Sequence, residues 1–398
     1  MPSLINKSLK MSFFIFSMEE WTDRFNPFNS DKLLSQVYRW RDIVKGEILP
    51  APGLVTIDPT NICNLKCIWC NADYIQKKNP KQLSSEALNQ ISDFLPNWSN
   101  HSYWKGVEAV CIAGGGEPLS NPYTSDLIKR LRANNIRVGV VTNGTYIDKH
   151  LESLTDCTWV GVSVDAGTRE TYEQLKGKDK FDKVIENIRK LTSVQEGKEL
   201  GREGQGHGVS YKFLMHPGNI KDIYQAAKIA KEIGCRNFHL RPYGISWDKI
   251  KMEKDKESFM AFSYSDIEGF WRQIEKARTL EDEVFKIFSV THKFDGDLNR
   301  THKFRNCHAV FMTAVFEPPT DNKEGFNLGL CCDRRGDPQL TIENINDVEE
   351  VKRFWGGKQH WEMAEKIKIG KCPRCTYQPH NLLFENVIEK DNMTYDFY

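Results

Sequence analysis

Hydrophobic and polar positions follow two alternating periods between residues 54 and 244. Short apolar runs rich in β-branched residues predict six strands, namely LVTIDPT, AVCIAGGG, RVGVVTNG, WVGVSVDA, GVSYKFLM and FHLRPYG. Between them, apolar residues recur at i, i+3 and i+4 and predict amphipathic helices, for example TSDLIKRLRANN, KVIENIRKLTSV and IKDIYQAAKIAKEIG. Strands that alternate with helices predict an α/β fold with a parallel sheet of right-handed βαβ units.

The unusual residues of this region lie where the predicted strands end. A cysteine-rich segment follows the first strand, and GGGEP, TNG and SVDAG end the next three. Parallel sheets place their ligands at the carboxyl ends of the strands. The pattern therefore predicts one shared site at that edge of the sheet.

The segments outside the predicted sheet differ from it in composition. Residues 1–50 are interpreted as a leader or helical segment, and residues 51–245 as the core. Residues 246–300 are polar and include the helical pattern SDIEGFWRQIEKAR, which predicts a connector. The cysteine-bearing residues 301–398 predict a small metal-stabilised module.

Two stretches within these parts have their own interpretation. The apolar run at residues 11–18 is too short to span a bilayer, and no small-residue cleavage site of a signal peptide follows it. No other segment reaches transmembrane length, so we expect no membrane span. The charged, glycine-rich segment 196–208 falls between a helix and a strand, which predicts a surface loop at the opposite end of the sheet.

Composition narrows the class of partner. The chain of 398 residues is 39% hydrophobic and 27% charged, with a formal net charge of +1, which is ordinary for a globular protein. A balanced charge offers no electrostatic basis for nucleic acid or an anionic membrane as the main partner. We therefore expect small molecules or proteins as partners.

The eleven cysteines are unevenly placed. Eight fall within residues 63–70 and 307–375, while Cys111, Cys157 and Cys235 stand apart and are expected to be ordinary small core residues. Close C-x2-C pairs in a reducing compartment indicate metal ligands rather than disulfides. The expected class is a cytoplasmic metalloprotein.

Cys63, Cys67 and Cys70 form a C-x3-C-x2-C segment directly after the first predicted strand. Structural zinc sites close with four ligands, and no fourth Cys or His stands nearby in the sequence. A 4Fe–4S cluster held by three thiolates leaves one iron open to a ligand that is not protein. The pattern favours an iron–sulfur site, with a zinc site completed by a distant ligand, or three core cysteines, as alternatives.

This segment, with Trp69 before its third cysteine and GGGEP one βα unit later, resembles the radical S-adenosylmethionine (SAM) superfamily. The resemblance implies a partial (β/α)6 TIM-like barrel and a 4Fe–4S cluster whose open iron binds the amino and carboxylate groups of SAM. It also implies reductive cleavage of SAM to methionine and a 5′-deoxyadenosyl radical, which abstracts hydrogen from the substrate. Trp69 would then lie against the adenine.

The GGGEP stretch is the second cofactor contact that the resemblance implies. The backbone of Gly114, Gly115 and Gly116 would bind the SAM ammonium group, because glycines let a ligand approach the backbone closely. Glu117 would add negative charge nearby. A tight turn is the alternative interpretation.

Polar residues at the ends of the next two strands are further candidates for SAM contacts. Ser163 and Asp165 lie on the polar face of an alternating strand and, by the resemblance, would contact the SAM carboxylate or ribose. Asp165 has an alternative role as the cap of a helix that begins near Thr168. Asn143 is also a candidate, although a turn would explain it as well.

Three polar residues within the last two predicted strands are candidates for catalysis. Lys212, His239 and Arg241 could face the substrate or the SAM carboxylate, and structural salt bridges explain them equally well. No catalytic role is assigned to any of them from the sequence.

The C-terminal cysteines resemble the shortened SPASM ("twitch") extension of radical SAM enzymes, and the stretch RFWGGKQHWEM resembles its tryptophan-bearing segment. The resemblance implies an auxiliary 4Fe–4S cluster held by Cys307, Cys331, Cys372 and Cys375. Cys331 is preferred to the adjacent Cys332 on the family pattern, and Cys332 is a candidate hydrogen-atom donor. A four-cysteine zinc site fits this spacing equally well.

Together these features predict a radical SAM enzyme that oxidises, epimerises or eliminates from a small molecule such as a sugar, aminocyclitol or nucleoside moiety. An electron donor such as flavodoxin or ferredoxin is the expected protein partner. Only about fifty residues precede the first strand, fewer than a small recognition domain needs, which favours a small molecule over a peptide. The alternatives are a maturase of a peptide or protein, and a non-catalytic metal-binding protein, in which GGGEP would have no role.

Overall fold

The structure is a computed structural model that describes nine stretches of the chain. These are residues 30–45, 49–98, 106–195, 208–244, 246–249, 262–289, 304–321, 324–372 and 375–389. The apolar run at residues 11–18 and the loop predicted over 196–208, apart from Gly208, lie outside the described residues.

One ten-stranded sheet organises the fold, in the order β10-β9-β8-β1-β2-β3-β4-β5-β6-β7. The strands are β1 (Leu54–Ile57), β2 (Ala109–Ile112), β3 (Arg137–Thr142), β4 (Trp159–Ser163), β5 (Gly208–Met215), β6 (Asn237–Pro242), β7 (Lys286–Ser289), β8 (Thr313–Glu317), β9 (Phe326–Gly329) and β10 (Thr341–Ile345). All six predicted strands are present as β1 to β6, and they pair in parallel. The predicted α/β class and partial (β/α)6 barrel are confirmed.

Helices follow each of the first six strands. The described helices, including one before β1 and three after β10, are α1 (Val37–Lys45), α2 (Asp73–Lys78), α3 (Ser85–Phe94), α4 (Thr124–Ala133), α5 (Leu151–Thr155), α6 (Arg169–Lys176), α7 (Phe181–Gln195), α8 (Ile223–Glu232), α9 (Tyr264–Arg278), α10 (Val348–Phe354), α11 (Lys358–Glu365) and α12 (Gln378–Leu383). Short 3₁₀ turns and a π-helical turn at Phe384–Ile388 complete the backbone. Within the described ranges, none of the helices has both the length and the apolar character needed to cross a bilayer.

The two faces of the sheet have different surroundings. On one face, Val110, Val140, Val160 and Tyr211 are buried together with apolar residues of the surrounding helices. The alternate positions of β2, β4 and β5 are only partly buried and form the inner face of the partial barrel. Burial of the apolar side chains on the helix-covered face stabilises the sheet. The inner face carries polar side chains as well.

Strands extend the predicted core on both sides. The connector predicted over residues 246–300 contains α9, as expected, and also β7, which pairs in parallel with β6 and was not predicted. The module predicted over 301–398 was expected to be less regular, but its β8 pairs in parallel with β1. Since β9 and β10 continue antiparallel from β8, the cysteine-bearing segment shares one sheet with the core.

Candidate active site and metal centres

The three-cysteine segment forms a loop at the carboxyl end of β1. Its middle is held against the end of α6, where Lys66 donates its backbone N–H to the carbonyl of Lys176 (3.0 Å). A turn joins the N–H of Cys70 to the carbonyl of Cys67 (3.1 Å). Cys63, Cys67 and Cys70 are each partly buried, so their thiols are presented at one end of the sheet.

The three glycines at the end of β2 lie against the entry to this cysteine loop. Gly116 donates its N–H to the carbonyl of Thr60 (3.0 Å), and Glu117 donates to that of Ile62 (2.8 Å). A Cβ on Gly116 would come within 2.3 Å of the Ile62 carbonyl oxygen. The glycines were predicted to let SAM approach, and the structure shows that Gly114–Gly116 let the cysteine loop approach. The contact with the SAM ammonium group stays a prediction.

Glu117 has a buried carboxylate that the protein itself satisfies. Its oxygens accept hydrogen bonds from Thr142 Oγ1 (2.5 Å), the Asn143 N–H (2.7 Å) and the Leu119 N–H (3.1 Å). Burial raises the pKa of Glu117 to about 7 despite these donors. The carboxylate therefore ties the end of β2 to the end of β3, a role that the sequence did not indicate.

Amide side chains lie beside two of the three thiols. Asn143 Nδ2 lies 4.0 Å from Cys63 Sγ and donates to Asn64 Oδ1 (2.9 Å). Gln76 Nε2 lies 3.5 Å from Cys70 Sγ and also donates to a carbonyl of the glycine loop (2.8 Å). Asn143, predicted as a cofactor contact, thus borders the cysteine loop. Gln76 also borders this loop and was not predicted from the sequence.

Asp165 lies in a buried ion pair with Lys176, the last residue of α6. The other carboxylate oxygen of Asp165 accepts the N–H of Leu214 (2.6 Å), so both oxygens are engaged within the protein. The alternative cap role of Asp165 is wrong, because Thr168 caps α6 by accepting the N–H of Thr171 (3.3 Å). The predicted SAM contact of Asp165 stays a prediction, and the structure shows a residue that positions Lys176.

Trp69 is part of an aromatic group above the ends of β5 and β6. Its ring centroid lies 5.5 Å from that of His216 and 6.3 Å from that of Tyr243, and the last two are 5.1 Å apart. Lys176 Nζ lies 5.9 Å from the Trp69 ring, within cation–π range. His216 and Tyr243 each directly follow a strand, which is the signal that could have identified them.

Two of the predicted catalytic candidates, Lys212 and His239, share one row across the sheet with Ser163. The register pairs Ser163 with Lys212, and Lys212 with His239. A Cβ on Gly161 would lie 2.7 Å from Lys212 Cδ, so the lysine crosses the inner face over this glycine. Arg241 lies two residues further along β6, opposite Leu214. The structure thus brings Ser163, Lys212 and His239 together on adjacent strands.

Burial disfavours ionisation of the loop thiols. Desolvation raises the pKa of Cys63 to about 11, and it also raises the pKa of Cys67 and Cys70. For Cys67 the nearby Lys176 acts in the opposite direction. A bound cationic metal centre would compensate the desolvation, because thiolates are its ligands. The donor set of three soft sulfurs fits iron–sulfur chemistry.

A second set of cysteines surrounds a small cavity in the C-terminal part. Cys307, Cys331, Cys372 and Cys375, the four predicted auxiliary ligands, all line it. The remaining lining is mainly apolar, with Phe304, Val310, Leu330, Leu340, Ile367 and Ile369. Cys332 is not among the described residues that line the cavity, and its thiol contacts Tyr377.

Hydrogen bonds connect the three chain segments that carry these four thiols. Asp333 accepts the N–H (2.6 Å) and hydroxyl (3.0 Å) of Thr376. Asn381 Oδ1 accepts the N–H groups of His308 (2.8 Å) and Ala309 (2.9 Å), and its Nδ2 lies 3.9 Å from Cys375 Sγ. The segments next to the cysteines are therefore held together by the protein itself.

Both cysteine sites offer a set of sulfur donors. In the described part of the chain, no three His, Cys, Asp or Glu side chains form an arrangement that would hold a single metal ion. Four thiols around one mainly apolar cavity supply the ligand type of both a 4Fe–4S cluster and a four-cysteine zinc site. The thiols therefore match a sulfur-ligated centre in number and chemistry, and both its presence and the choice between iron and zinc stay predictions.

The C-terminal part contacts the end of β1 through a buried ion pair. Arg335 binds Asp58, with Nη2 3.3 Å from Oδ1, although the two residues are 277 positions apart. Trp247 Nε1 donates to Tyr74 Oη (2.6 Å), and the Tyr74 hydroxyl donates to the carbonyl of Arg335. The described C-terminal cysteines thus belong to a segment packed against the first cysteine site. Cys111 lies half-buried on β2, while Cys157 and Cys235 are buried, as expected.

A parallel α/β sheet with a cysteine loop and a glycine loop at adjacent strand ends is the arrangement expected of a radical SAM domain. Residues 57–197 match the sequence profile of the Radical SAM superfamily. The chain therefore carries a radical SAM domain over these residues.

Curated relatives match the chain over part of their length. The Fe-coproporphyrin III synthase of Methanosarcina barkeri is 29% identical over 174 residues, covering 43% of this chain and 39% of that protein. The mycofactocin maturase MftC of Mycobacterium tuberculosis is 27% identical over 205 residues, covering 50% of this chain and 48% of that protein. The chain thus spans about half or less of the length of these relatives.

Solved structures show a similar fold over most of the chain. Streptococcus suis SuiB, bound to its precursor peptide SuiA, superposes with a TM-score of 0.57 at 15% identity, covering 91% of this chain and 80% of that one. The enzyme anSMEcpe with bound AdoMet gives a TM-score of 0.52 at 18% identity, covering 82% of this chain and 87% of that one. At these identities the likeness shows the fold alone.

Proposed function

We propose that the protein is a radical SAM enzyme with two iron–sulfur centres that removes hydrogen from a small molecule. Cys63, Cys67 and Cys70 would hold the SAM-binding 4Fe–4S cluster. The four cysteines around the C-terminal cavity would hold an auxiliary 4Fe–4S cluster, as in SPASM or twitch modules. The observation that carries this proposal is the convergence of those four thiols on one cavity, in a segment packed against the radical SAM domain.

When bound, the first centre would supply the electron for reductive cleavage of SAM, and the second centre would supply a one-electron acceptor. The chain's own residues would position the reactants. Trp69, His216 and Tyr243 offer an aromatic surface for the adenine, because flat rings stack on one another. The backbone of Gly114–Gly116 would take the SAM ammonium group, and Ser163 and Asn143 are candidates for further contacts with SAM.

The inner face of the barrel would hold the substrate. Ser163, Lys212 and His239 lie in register there, on three adjacent strands. The Asp58–Arg335 pair joins the C-terminal segment to β1 near the same edge, which would restrict access from that side. A row of polar groups in a restricted space suits a polar small molecule, such as a sugar, aminocyclitol or nucleoside moiety. Arg241 and Lys212 are candidates for binding its charged or hydroxyl groups.

A peptide maturase is the second candidate function. The mycofactocin maturase MftC is among the relatives, and the SuiB structure with a precursor peptide covers 91% of this chain. A peptide would need an extended cleft leading to the inner face, whereas a small molecule would not. The reductant in both cases would be a low-potential electron carrier such as flavodoxin or ferredoxin, which would place the enzyme in the cytoplasm.

Deuterium transfer tests the proposal and separates the two substrate classes. The enzyme is reconstituted anaerobically with iron and sulfide, reduced, and incubated with SAM and deuterated candidates of each class. Transfer of deuterium into 5′-deoxyadenosine from a sugar, aminocyclitol or nucleoside supports the proposal. Transfer from peptides alone supports the maturase. Zinc in place of iron at the C-terminal site would contradict the auxiliary cluster.

A further inference from the structure

Arg334 is a buried cation at the wall of the four-cysteine cavity. Its side chain is only 5% exposed, and it lines the cavity together with the four thiols. Arg334 Nη1 lies 4.0 Å from Cys372 Sγ, within range of an N–H···S hydrogen bond. The adjacent Arg335 points away from the cavity toward Asp58. Arg334 is thus the arginine of this pair whose charge faces the thiols.

Several contacts hold the Arg334 guanidinium in place. It forms a buried ion pair with Asp337 and donates to Gln339 Oε1 (3.4 Å). Its Cζ lies 5.9 Å from the Trp247 ring, and its backbone N–H donates to the carbonyl of Cys331 (3.3 Å). The charge is therefore preorganised at the cavity wall and not mobile in solvent.

The buried Arg334–Asp337 ion pair adds little to the free energy of unfolding, because removing both charges from water costs about as much as their attraction gains. Its placement has a stronger consequence for a cluster in the cavity. One-electron reduction adds one negative charge to a cluster that four thiolates already make anionic, and no bond is made or broken. Hydrogen bonds and positive charge at the cysteine sulfurs stabilise the reduced form and raise the reduction potential. Arginine is suited to this role because it stays charged.

We propose that Arg334 is a positioning residue that raises the reduction potential of the auxiliary cluster, so that this cluster accepts the electron released by the substrate radical. The inference rests on the proposed function, because it requires a cluster at the four cysteines. The substrate first loses a hydrogen atom to the 5′-deoxyadenosyl radical. The resulting radical then loses one electron to the auxiliary cluster and one proton to water, which leaves a product oxidised by two electrons.

The test measures the potential of the auxiliary cluster, independently of turnover. Cys63, Cys67 and Cys70 are replaced by alanine in the full chain, so that only the second cluster forms. Redox titration followed by electron paramagnetic resonance then gives its potential. Arg334→Gln is expected to shift the potential to more negative values. Arg334→Lys, which keeps the charge but not the planar fork, is expected to shift it less.

Two further variants make the result specific to charge. Asp337→Asn leaves Arg334 in place and removes its counter-charge, so the potential is expected to shift to more positive values. A merely loosened fold would not produce shifts of opposite sign in the two variants. Arg305→Gln is the control, because the Arg305 side chain is near Cys307 in the sequence but is 81% exposed. Solvent screens such a charge, so the reduction potential is expected to stay unchanged.

The outcomes separate this inference from the proposed function. A protein that binds no iron in the three-alanine background contradicts the auxiliary cluster and, with it, the role of Arg334. An unchanged potential in Arg334→Gln at full iron content contradicts the role of Arg334 alone. If Arg334→Gln takes up no iron, the lysine variant and Asp337→Asn decide, and the inference fails unless Asp337→Asn raises the potential.

Discussion

The buried pair of Asp165 and Lys176 lies beneath the cysteine loop, and its removal is the sharpest structural perturbation of this site. Lys176→Met deletes the ammonium group and leaves the Asp165 carboxylate fully buried with one remaining donor, the N–H of Leu214 (2.6 Å). Breaking a buried ion pair by removing one partner costs about 3–5 kcal/mol, because the other charge is left uncompensated. We expect Lys176→Met to lower the free energy of unfolding by this amount.

A second substitution should restore most of the loss. Asn at position 165 removes the carboxylate charge and keeps an oxygen for the Leu214 N–H. It also tolerates the left-handed backbone of Asp165, whose φ is 62°. The double variant Lys176→Met with Asp165→Asn is therefore expected to be more stable than Lys176→Met alone.

Urea unfolding of the metal-free protein, followed by tryptophan fluorescence, measures these differences. Lys129→Met is the matched control, because Lys129 pairs with Glu152 at an exposed position (3.2 Å) and such pairs contribute at most about 1 kcal/mol. If Lys176→Met cost no more than the control, or if the double variant showed no recovery, the role of this buried pair would be refuted.

Three other predictions concern the two cysteine sites. Gly116→Ala is expected to lose iron from the first site, because the added Cβ would lie 2.3 Å from a backbone oxygen. Gly370→Ala is the control, since a Cβ there has no atom within 4 Å, and it should keep the iron content and visible absorbance of the wild type. Equal iron contents in the two variants would contradict this. Cys331→Ala should lose about half of the iron and Cys332→Ala none of it, and the reverse would overturn the ligand assignment. Burial raises the pKa of Glu117 from 4.5 to about 7. The protonated carboxyl group therefore contributes fully to the free energy of unfolding below pH 4.5, and this contribution is lost as the pH rises through 7. The loss amounts to at most about 3 kcal/mol. Urea unfolding at pH 5 and pH 8 should show this loss in the wild type and not in Glu117→Gln, and parallel profiles would refute it.

Strand periodicity predicted the core of the sheet, because β1 to β6 have apolar residues at the positions that are buried under the helices. The placement of the cysteine, glycine and polar segments at one edge also followed, since all six strands run in parallel. The strand Lys286–Ser289 was missed because its run KIFS begins and ends with a polar residue, within a stretch interpreted as a helical connector. Its pairing depends on β6, which is distant in sequence.

Asp165 shows where alternation fails within the site. The period-two pattern placed it on the same face as Ser163, toward a ligand. Strand β4 ends at Ser163, and the positive φ of Asp165 turns its side chain out of that pattern toward Lys176. A helical lysine is usually solvated, so the sequence did not indicate that Lys176 is buried.

Contacts between distant segments could not be derived from local pattern. The dipeptide Arg334–Arg335 stands beside two cysteines in the sequence, but its two side chains point to different partners, Cys372 and Asp58. Only the folded arrangement shows that one arginine faces the cavity and the other joins the C-terminal segment to β1. The preference for Cys331 over Cys332 came from the family pattern, and in the fold Cys331 lines the cavity while Cys332 contacts Tyr377.

Reductive cleavage of SAM tests the central claim most directly. The anaerobically reconstituted full chain, reduced with dithionite, is incubated with SAM, and 5′-deoxyadenosine and methionine are quantified. We expect both products in equal amounts from the wild type and from Lys129→Met, and neither product from Cys67→Ala. Failure of the fully iron-loaded wild type to form 5′-deoxyadenosine, or its formation by Cys67→Ala at the wild-type rate, would contradict the account.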